Sequence, residues 1–245
     1  MQCRANAGEL MKAWTAFTMD NESFMPGSIH GGIAQNPQPI DGEPVVGTVS
    51  EYKPWAQGWQ TWDLANANTN ANYFANPKYG SLAVYVGVGK NVVKCPEDRS
   101  LSALQKRAGW TQRVRTYSGN ITIGRGNGGP GDGSWNNLYR KITKISETTP
   151  TDFMFLEEHP NSINDAGFWP PQGTPGALLW INWPANFHFG GAIVTAADGR
   201  AEPHAWTSAT VRTLPVKTET SSAPVSAISQ KDLQFLFDRT PKLAP

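Results

Sequence analysis

Apolar residues recur at spacings of three and four near the start of the chain, which is the periodicity of one helix face. The pattern predicts an amphipathic helix over residues 2–20. No capping residue or leading loop precedes its first turn, so we expect that the chain begins inside a longer helix. The apolar stripe consists of Ala7, Leu10, Met11, Trp14 and Phe17.

Two short runs with strand character, residues 191–196 and 200–206, flank an Asp-Gly pair. Asp198-Gly199 predicts a hairpin with a type I′ turn, because such a turn needs positive φ at both central positions. His188 starts the first strand and lies ten positions before Asp198. At about 3.3 Å per residue the two would be roughly 33 Å apart. We therefore expect no catalytic dyad between them unless the chain bends.

Other segments show weaker local patterns, separated by long loops rich in Pro and Gly. A short helix is predicted over 79–88, and a final helix over 229–239 with Ser229 as its N-cap. Strand character is present at residues 91–94, 113–123, 139–145 and 152–156.

The composition narrows the class of protein. The 245 residues allow one large domain or two small ones, and 24 Gly with 19 Pro indicate many turns. A net charge of +1 gives no reason to expect a nucleic-acid or acidic-membrane partner. The longest apolar run, residues 82–88, is far shorter than the about 20 residues that a membrane span requires.

Ten tryptophans make aromatic side chains a prominent feature of the sequence. Trp55, Trp59 and Trp62 follow one another at spacings of four and three, so they would share a face on a helical turn. One interpretation is that they cover the core. The other is an aromatic platform that binds carbohydrate. We favour burial, because clustered aromatic side chains mostly serve packing.

Acidic residues follow the predicted strand at 152–156. Glu157 and Glu158 are adjacent, so on a strand they would point to opposite faces and would not form a ready acid/base pair. Glu158 together with Asp165 would offer oxygen ligands to calcium. The alternative is that one glutamate is solvated and the other caps the chain or pairs with an arginine.

The two cysteines, Cys3 and Cys95, do not lie in a CxxC pair, so their spacing predicts no zinc site. They are either one disulfide formed in an oxidising compartment or two unrelated buried thiols. A hydrolase using Glu157, Glu158 or His188 lacks support, since no nucleophile elbow or paired metal-ligand histidines are present.

Several short motifs occur in the order found in one family, and together they cover most of the chain. The sequence resembles prepilin-type, type II secretion pseudopilin-like proteins that carry an H-X9-DG motif. Ala7 stands where the family has Leu, and Arg200 stands where His is common, which weakens a hairpin metal site. The matching segments are Cys3-Arg4-Ala5-Asn6, Asp20-Asn21 with Pro26, Val93 to Asp98, Arg115 to Asn120, Glu157 to Asp165, and His188 with Asp198 to Glu202.

The resemblance implies an α+β fold similar to a type IV pilin head, in which an N-terminal α-helix packs on an antiparallel β-sheet with long loops. Residues 1–20 would be the C-terminal part of a pilin-type helix, and residues 21–245 the globular head. The family's basic leader and apolar membrane helix are missing here. The family pattern also pairs Cys3 with Cys95, outside the cytosol.

The resemblance further implies a non-enzymatic structural subunit of a type II secretion or type IV pilus-like filament. Its partners would be other pilin-like subunits, and the inner membrane through the missing helix. It would be periplasmic or extracellular, and anchored in the membrane before assembly. No nucleic acid is expected, and calcium is the one cofactor considered. The alternative function is an extracellular carbohydrate-binding module that uses Trp55, Trp59 and Trp62.

Overall fold

A 19-residue helix, α1 (Gln2–Asp20), lies across one face of a β-sheet, as the apolar periodicity predicts. Its buried side carries Leu10, Met11, Trp14 and Phe17, and it packs on the C-terminal hairpin of the sheet. Burying one such side chain contributes about 1.5–3 kcal/mol. Packing of this face, rather than intrinsic helix propensity, therefore holds α1 in place.

A computed structural model of the chain describes residues 2–42, 45, 47–87, 91–128, 139–218 and 230–243. The further helices are α2 (Gly31–Gln35), α3 (Val49–Tyr52), α4 (Asn72–Ala75), α5 (Ala83–Val86), α6 (Ala103–Arg107), α7 (Ala209–Arg212) and α8 (Gln230–Asp238), with 3-10 turns at Asn66–Asn68 and Ile145–Glu147. The strands are β1 (Tyr117–Asn120), β2 (Phe153–Glu157), β3 (Gly167–Phe168), β4 (Gln172–Thr174), β5 (Ala177–Leu179), β6 (Gly191–Ala196) and β7 (Ala201–Ala205). The predicted N-cap Ser229 lies outside the described residues.

The main sheet has five strands in the order β3-β1-β2-β6-β7, and β4 with β5 forms a separate pair. Every neighbouring pair is antiparallel except β1 with β3. Tyr117 lies opposite Glu157 in the β1–β2 register, and a register shift interrupts the β2–β6 pairing. An N-terminal helix on a mostly antiparallel sheet makes the fold α+β, as expected.

The sheet separates two apolar clusters, because successive side chains of a strand point to opposite faces. Ile193 and Phe155 point into the cluster under α1. Ala192, Val194 and Leu156 point into the other cluster, with Trp180, Trp206 and α8. The molecule is thus layered, with α1 on one face of the sheet and loops, β5 and α8 on the other. Within the described residues, no helix combines the length and the hydropathy of a membrane span.

The hairpin between β6 and β7 lies where the sequence predicts it, but the type I′ prediction is wrong. Gly199 has φ 88°, whereas Asp198 does not have a positive φ. Ala196 N donates to Arg200 O at 2.9 Å, and Gly199 N donates to Ala196 O at 2.9 Å. This is a three-residue loop, in which a type I turn is followed by a left-handed glycine. The Asp198 carboxylate accepts from Arg200 N at 3.1 Å, a local bond that stabilises this turn.

Other local predictions fail where single contacts replace regular pairing. Residues 91–94 are a turn, and residues 139–145 carry isolated bridges rather than a strand. Residues 55–62 contain no helix. Lys53, with φ 52°, and Pro54 end α3 before the first tryptophan, so the three tryptophans do not share a helical face.

Candidate functional site

Four side chains from distant parts of the chain meet at the N-terminal end of α1. They are Cys3 on its first turn, Cys95 in the loop between α5 and α6, Glu157 at the end of β2, and His188 just before β6. One ligand atom of each residue lies within 4.8 Å of those of the other three. All four belong to motifs that carry the family resemblance, so the structure brings those motifs together at one point.

The structure confirms the predicted disulfide between Cys3 and Cys95. Their Cα atoms are 5.0 Å apart, and both residues are buried. The bond joins positions separated by 92 residues. It therefore ties the first turn of α1 covalently to the loop that precedes α6.

Glu157 is the hub of the hydrogen bonds around the disulfide, and its side chain is fully buried. Its Oε2 accepts from Ile193 N at 2.8 Å and lies 3.0 Å from His188 Nε2. The Tyr117 hydroxyl lies 2.7 Å from the Cys3 carbonyl oxygen and 3.2 Å from Glu157 Oε1. A hydroxyl has one proton, so the shorter contact, to Cys3 O, takes it. Every polar group here therefore helps to fix α1 to the sheet.

His188 is charged more readily than an isolated histidine. The hydrogen bond to Glu157 raises the pKa of the imidazole, and the negative charge of Glu157 adds to this, while desolvation opposes it. Its Nε2 also lies 3.7 Å from Cys95 Sγ. His188 thus forms an ion pair with a buried carboxylate directly beside the disulfide.

The backbone before β6 is shaped to present the His188 side chain. His188 N donates to Gly191 O at 3.1 Å, and the next residues, Phe189 and Gly190, have φ of 55° and 84°. A positive φ is rare for phenylalanine, so this tight turn stores strain. His188 makes no hydrogen bond to Asp198, whose carboxylate instead accepts from Arg200 Nε at 2.6 Å. The two residues of the H-X9-DG motif therefore act at separate places.

Sequence reasoning missed the contact between Glu157 and His188. It depends on the pairing of β2 with β6, which joins strands that are far apart in the chain. Only the resemblance pointed to the Cys3–Cys95 pairing, and no local pattern did. The role of Tyr117 was missed too, although its place opposite Glu157 follows once β1 and β2 are paired.

Glu157 and Glu158 do point to opposite sides, but the idea that one of them is solvated is wrong, because both are buried. Glu158 faces the arginines at 113 and 115, and neither of its carboxylate oxygens makes a hydrogen bond of good geometry within the described residues. Burial raises the pKa of Glu158 to about 8, and nearby serine hydroxyls and Arg115 only partly offset this.

The surroundings of Asp165 count against the calcium prediction for Glu158 and Asp165. Burial raises the pKa of Asp165 to about 7. Arg115 is fully buried beside both carboxylates and donates to the Asp165 carbonyl oxygen at 2.5 Å. A dication would have to displace protons and lie next to a fixed positive charge. The calcium site stays a prediction that this geometry does not favour.

A second buried ion pair supports the loop that carries Cys95. Lys94 Nζ lies 2.5 Å from Asp98 Oδ2, and both side chains are almost inaccessible. The Thr116 hydroxyl also donates to this carboxylate, at 3.1 Å. Removing one partner of such a pair is costly, because the remaining charge is left buried and uncompensated. The pair therefore holds the loop in the position that the disulfide requires.

The three tryptophans of the proposed aromatic platform are separated. Trp55 is buried, and its Nε1 donates to Ala166 O at 3.0 Å, so its inclusion in a binding surface is wrong. Trp59 and Trp62 are partly exposed and line one cleft of about 270 Å³. The Arg113 guanidinium lies 4.0 Å from the centre of the Trp62 ring. The cleft also includes Gln60, Thr61 and residues 160–164.

Comparison with known proteins assigns the chain to no family. No family model matches it, and no curated protein or solved structure is significantly similar. Its function must therefore be argued from its own residues and their arrangement.

Proposed function

We propose that this protein is a non-enzymatic, pilin-like structural subunit of a type II secretion or type IV pilus-like filament. One observation carries the proposal. Motifs that are scattered along the chain, and that resemble the pseudopilin-like pattern, converge where α1 is fixed to the sheet. A site with this purpose stabilises one arrangement of helix and head and requires no turnover.

The other contacts of the first turns of α1 serve the same purpose. Asn6 Nδ2 donates to Lys94 O at 2.8 Å, and Arg4 Nε donates to Ala201 O at 2.8 Å. With the disulfide, these bonds connect α1 to the Cys95 loop and to the start of β7. In a filament built through its helices, a head fixed in this way would move with its helix as one body.

The outward side of α1 offers a surface to a neighbouring subunit. Thr15 and Met19 lie along it, and Met19 is 78% exposed. A shallow groove of about 380 Å³ borders this side. An exposed large apolar side chain is what a helix–helix contact between subunits would cover. The disulfide supports placing the protein in the periplasm or outside the cell, where disulfides persist.

The proposal is tested in cells that express the protein from its natural gene, with and without the prepilin peptidase. We expect the peptidase to shorten the protein and to move part of it into the fraction released by shearing. A protein of unchanged length that is never released by shearing would contradict the proposal. Loss of release on Tyr117→Phe combined with removal of both cysteines would connect assembly to the fixed helix.

A second candidate function, binding of extracellular carbohydrate, rests on the cleft between Trp59 and Trp62. Partly exposed aromatic rings beside Asn161 and Asn164 provide apolar faces and polar groups in one concave surface. A glycan array tests this function. Binding that is lost in Trp62→Ala but kept in Trp110→Ala, a partly exposed tryptophan outside the cleft, would favour it over the structural subunit.

A further inference from the structure

The four side chains around the disulfide form a complete donor set for a metal ion once the sulfur atoms are free. Two thiolates, an imidazole and a carboxylate are the groups that bind zinc in proteins. Within the described part of the chain, Cys3, Cys95, Glu157 and His188 are the one cluster of three or more such residues. The spacing of the cysteines along the chain gives no zinc signature, because the donors come from four distant segments.

The donor separations fit a tetrahedral ion. Zinc–ligand bonds of about 2.0–2.3 Å place neighbouring ligand atoms roughly 3.3–3.8 Å apart. Cys95 Sγ lies 3.7 Å from His188 Nε2, and His188 Nε2 lies 3.0 Å from Glu157 Oε2. All four ligand atoms already lie within 4.8 Å of one another. Only the two sulfur atoms, now bonded to each other, must separate.

We propose that the reduced protein binds one Zn²⁺ through Cys3, Cys95, Glu157 and His188. The metal then replaces the disulfide as the link between α1 and the head. This goes beyond the role of filament subunit, because it gives the helix a second means of attachment under reducing conditions.

The chemistry requires a reductant, which a dithiol or a phosphine supplies. Two electrons and two protons convert the Cys3–Cys95 bond into two thiols, and the dithiol becomes a disulfide or the phosphine a phosphine oxide. Zn²⁺ then displaces both thiol protons to the solvent and binds the thiolates. His188 binds through Nε2, the atom that faces Cys95, so Nε2 must be free of its proton.

Hydrogen bonds already orient one of the ligands. Ile193 N donates to Glu157 Oε2 at 2.8 Å, and the Tyr117 hydroxyl lies 3.2 Å from Oε1. Partners of this kind hold a ligating carboxylate in position and strengthen metal binding. Because Glu157 is buried, the carboxylate would also gain more from a bound cation than it would in water.

The test uses the phosphine-reduced protein, freed of reductant without air and titrated with Co²⁺ as a spectroscopic probe for Zn²⁺. We expect one Co²⁺ per chain, with the visible bands of tetrahedral cobalt and a thiolate charge-transfer band, displaced by Zn²⁺. X-ray absorption of the zinc form should show two sulfur and two nitrogen or oxygen ligands. The oxidised protein should bind neither ion at this site.

Variants separate the four-ligand site from a bare pair of thiols. His188→Ala and Glu157→Gln should each weaken Co²⁺ binding by more than about 100-fold, beyond the loss of an outer partner. His204→Ala, in β7 and stacked on Phe235, should leave binding unchanged. The proposal is overturned if the folded, reduced protein gives no tetrahedral cobalt spectrum. It is also overturned if both variants, folded by circular dichroism, bind as tightly as the natural protein.

Discussion

Removal of the disulfide should lower the stability of the protein by an amount that follows from its position. Cys3→Ala with Cys95→Ala opens a loop whose ends are 92 residues apart. In the chain-entropy description, a loop of that length corresponds to about 4–5 kcal/mol at 25 °C. Residual structure in the unfolded chain reduces the effect. We therefore expect the free energy of unfolding to fall by about 3–5 kcal/mol.

Urea unfolding followed by tryptophan fluorescence measures this change, since ten tryptophans report on the fold. The natural protein, reduced and kept with a chelator, is the matched control, because it loses the bond but keeps both side-chain volumes. It should lose nearly as much stability as the double variant. If both forms unfold within about 0.5 kcal/mol of the oxidised protein, the disulfide does not fix α1, and the reasoning fails.

Three further results are expected, each measured by urea unfolding. Tyr117→Phe removes the hydroxyl that donates to the first turn of α1 and should cost about 1 kcal/mol; no loss would contradict that role. Because burial raises the pKa of Asp165 from 3.8 to about 7, its stabilising contribution is complete below about pH 4 and is lost as the pH rises through about 7. The Asp165→Asn variant should therefore show a flatter decline between about pH 4 and pH 8, and an unchanged profile would contradict the assignment. Gly199→Ala should cost about 1–2 kcal/mol, because φ is 88° there, whereas the control Gly8→Ala in α1 should stabilise by about 0.5–1 kcal/mol.

Elements whose pattern is local were predicted well from the sequence. The three-and-four spacing fixed α1 at residues 2–20, and the Asp-Gly pair located the β6–β7 hairpin. Both signals lie within about twenty residues, so no distant contact is needed to read them. The turn type was wrong because Asp198 bonds to Arg200 locally instead of adopting positive φ.

The site could be predicted only in part, because it depends on contacts between distant segments. Glu157 and His188 meet through the pairing of β2 with β6, and no local pattern encodes that pairing. Trp55 was grouped with two other tryptophans by spacing, but Pro54 prevents the helix that the spacing assumes. The burial of Glu158 beside Arg115 likewise reflects packing that emerges only in three dimensions.

The most direct test of the proposed filament role is a cross-link between neighbouring copies through α1. In cells, Met19→Cys places a reactive thiol on the outward side of α1, while Leu179→Cys on β5 places one on the far side of the sheet. With a short bis-maleimide, the account predicts a ladder of oligomers for Met19→Cys in the sheared fraction. It predicts no ladder without the peptidase and a much weaker one for Leu179→Cys. A protein that stays monomeric under all these conditions would contradict the account.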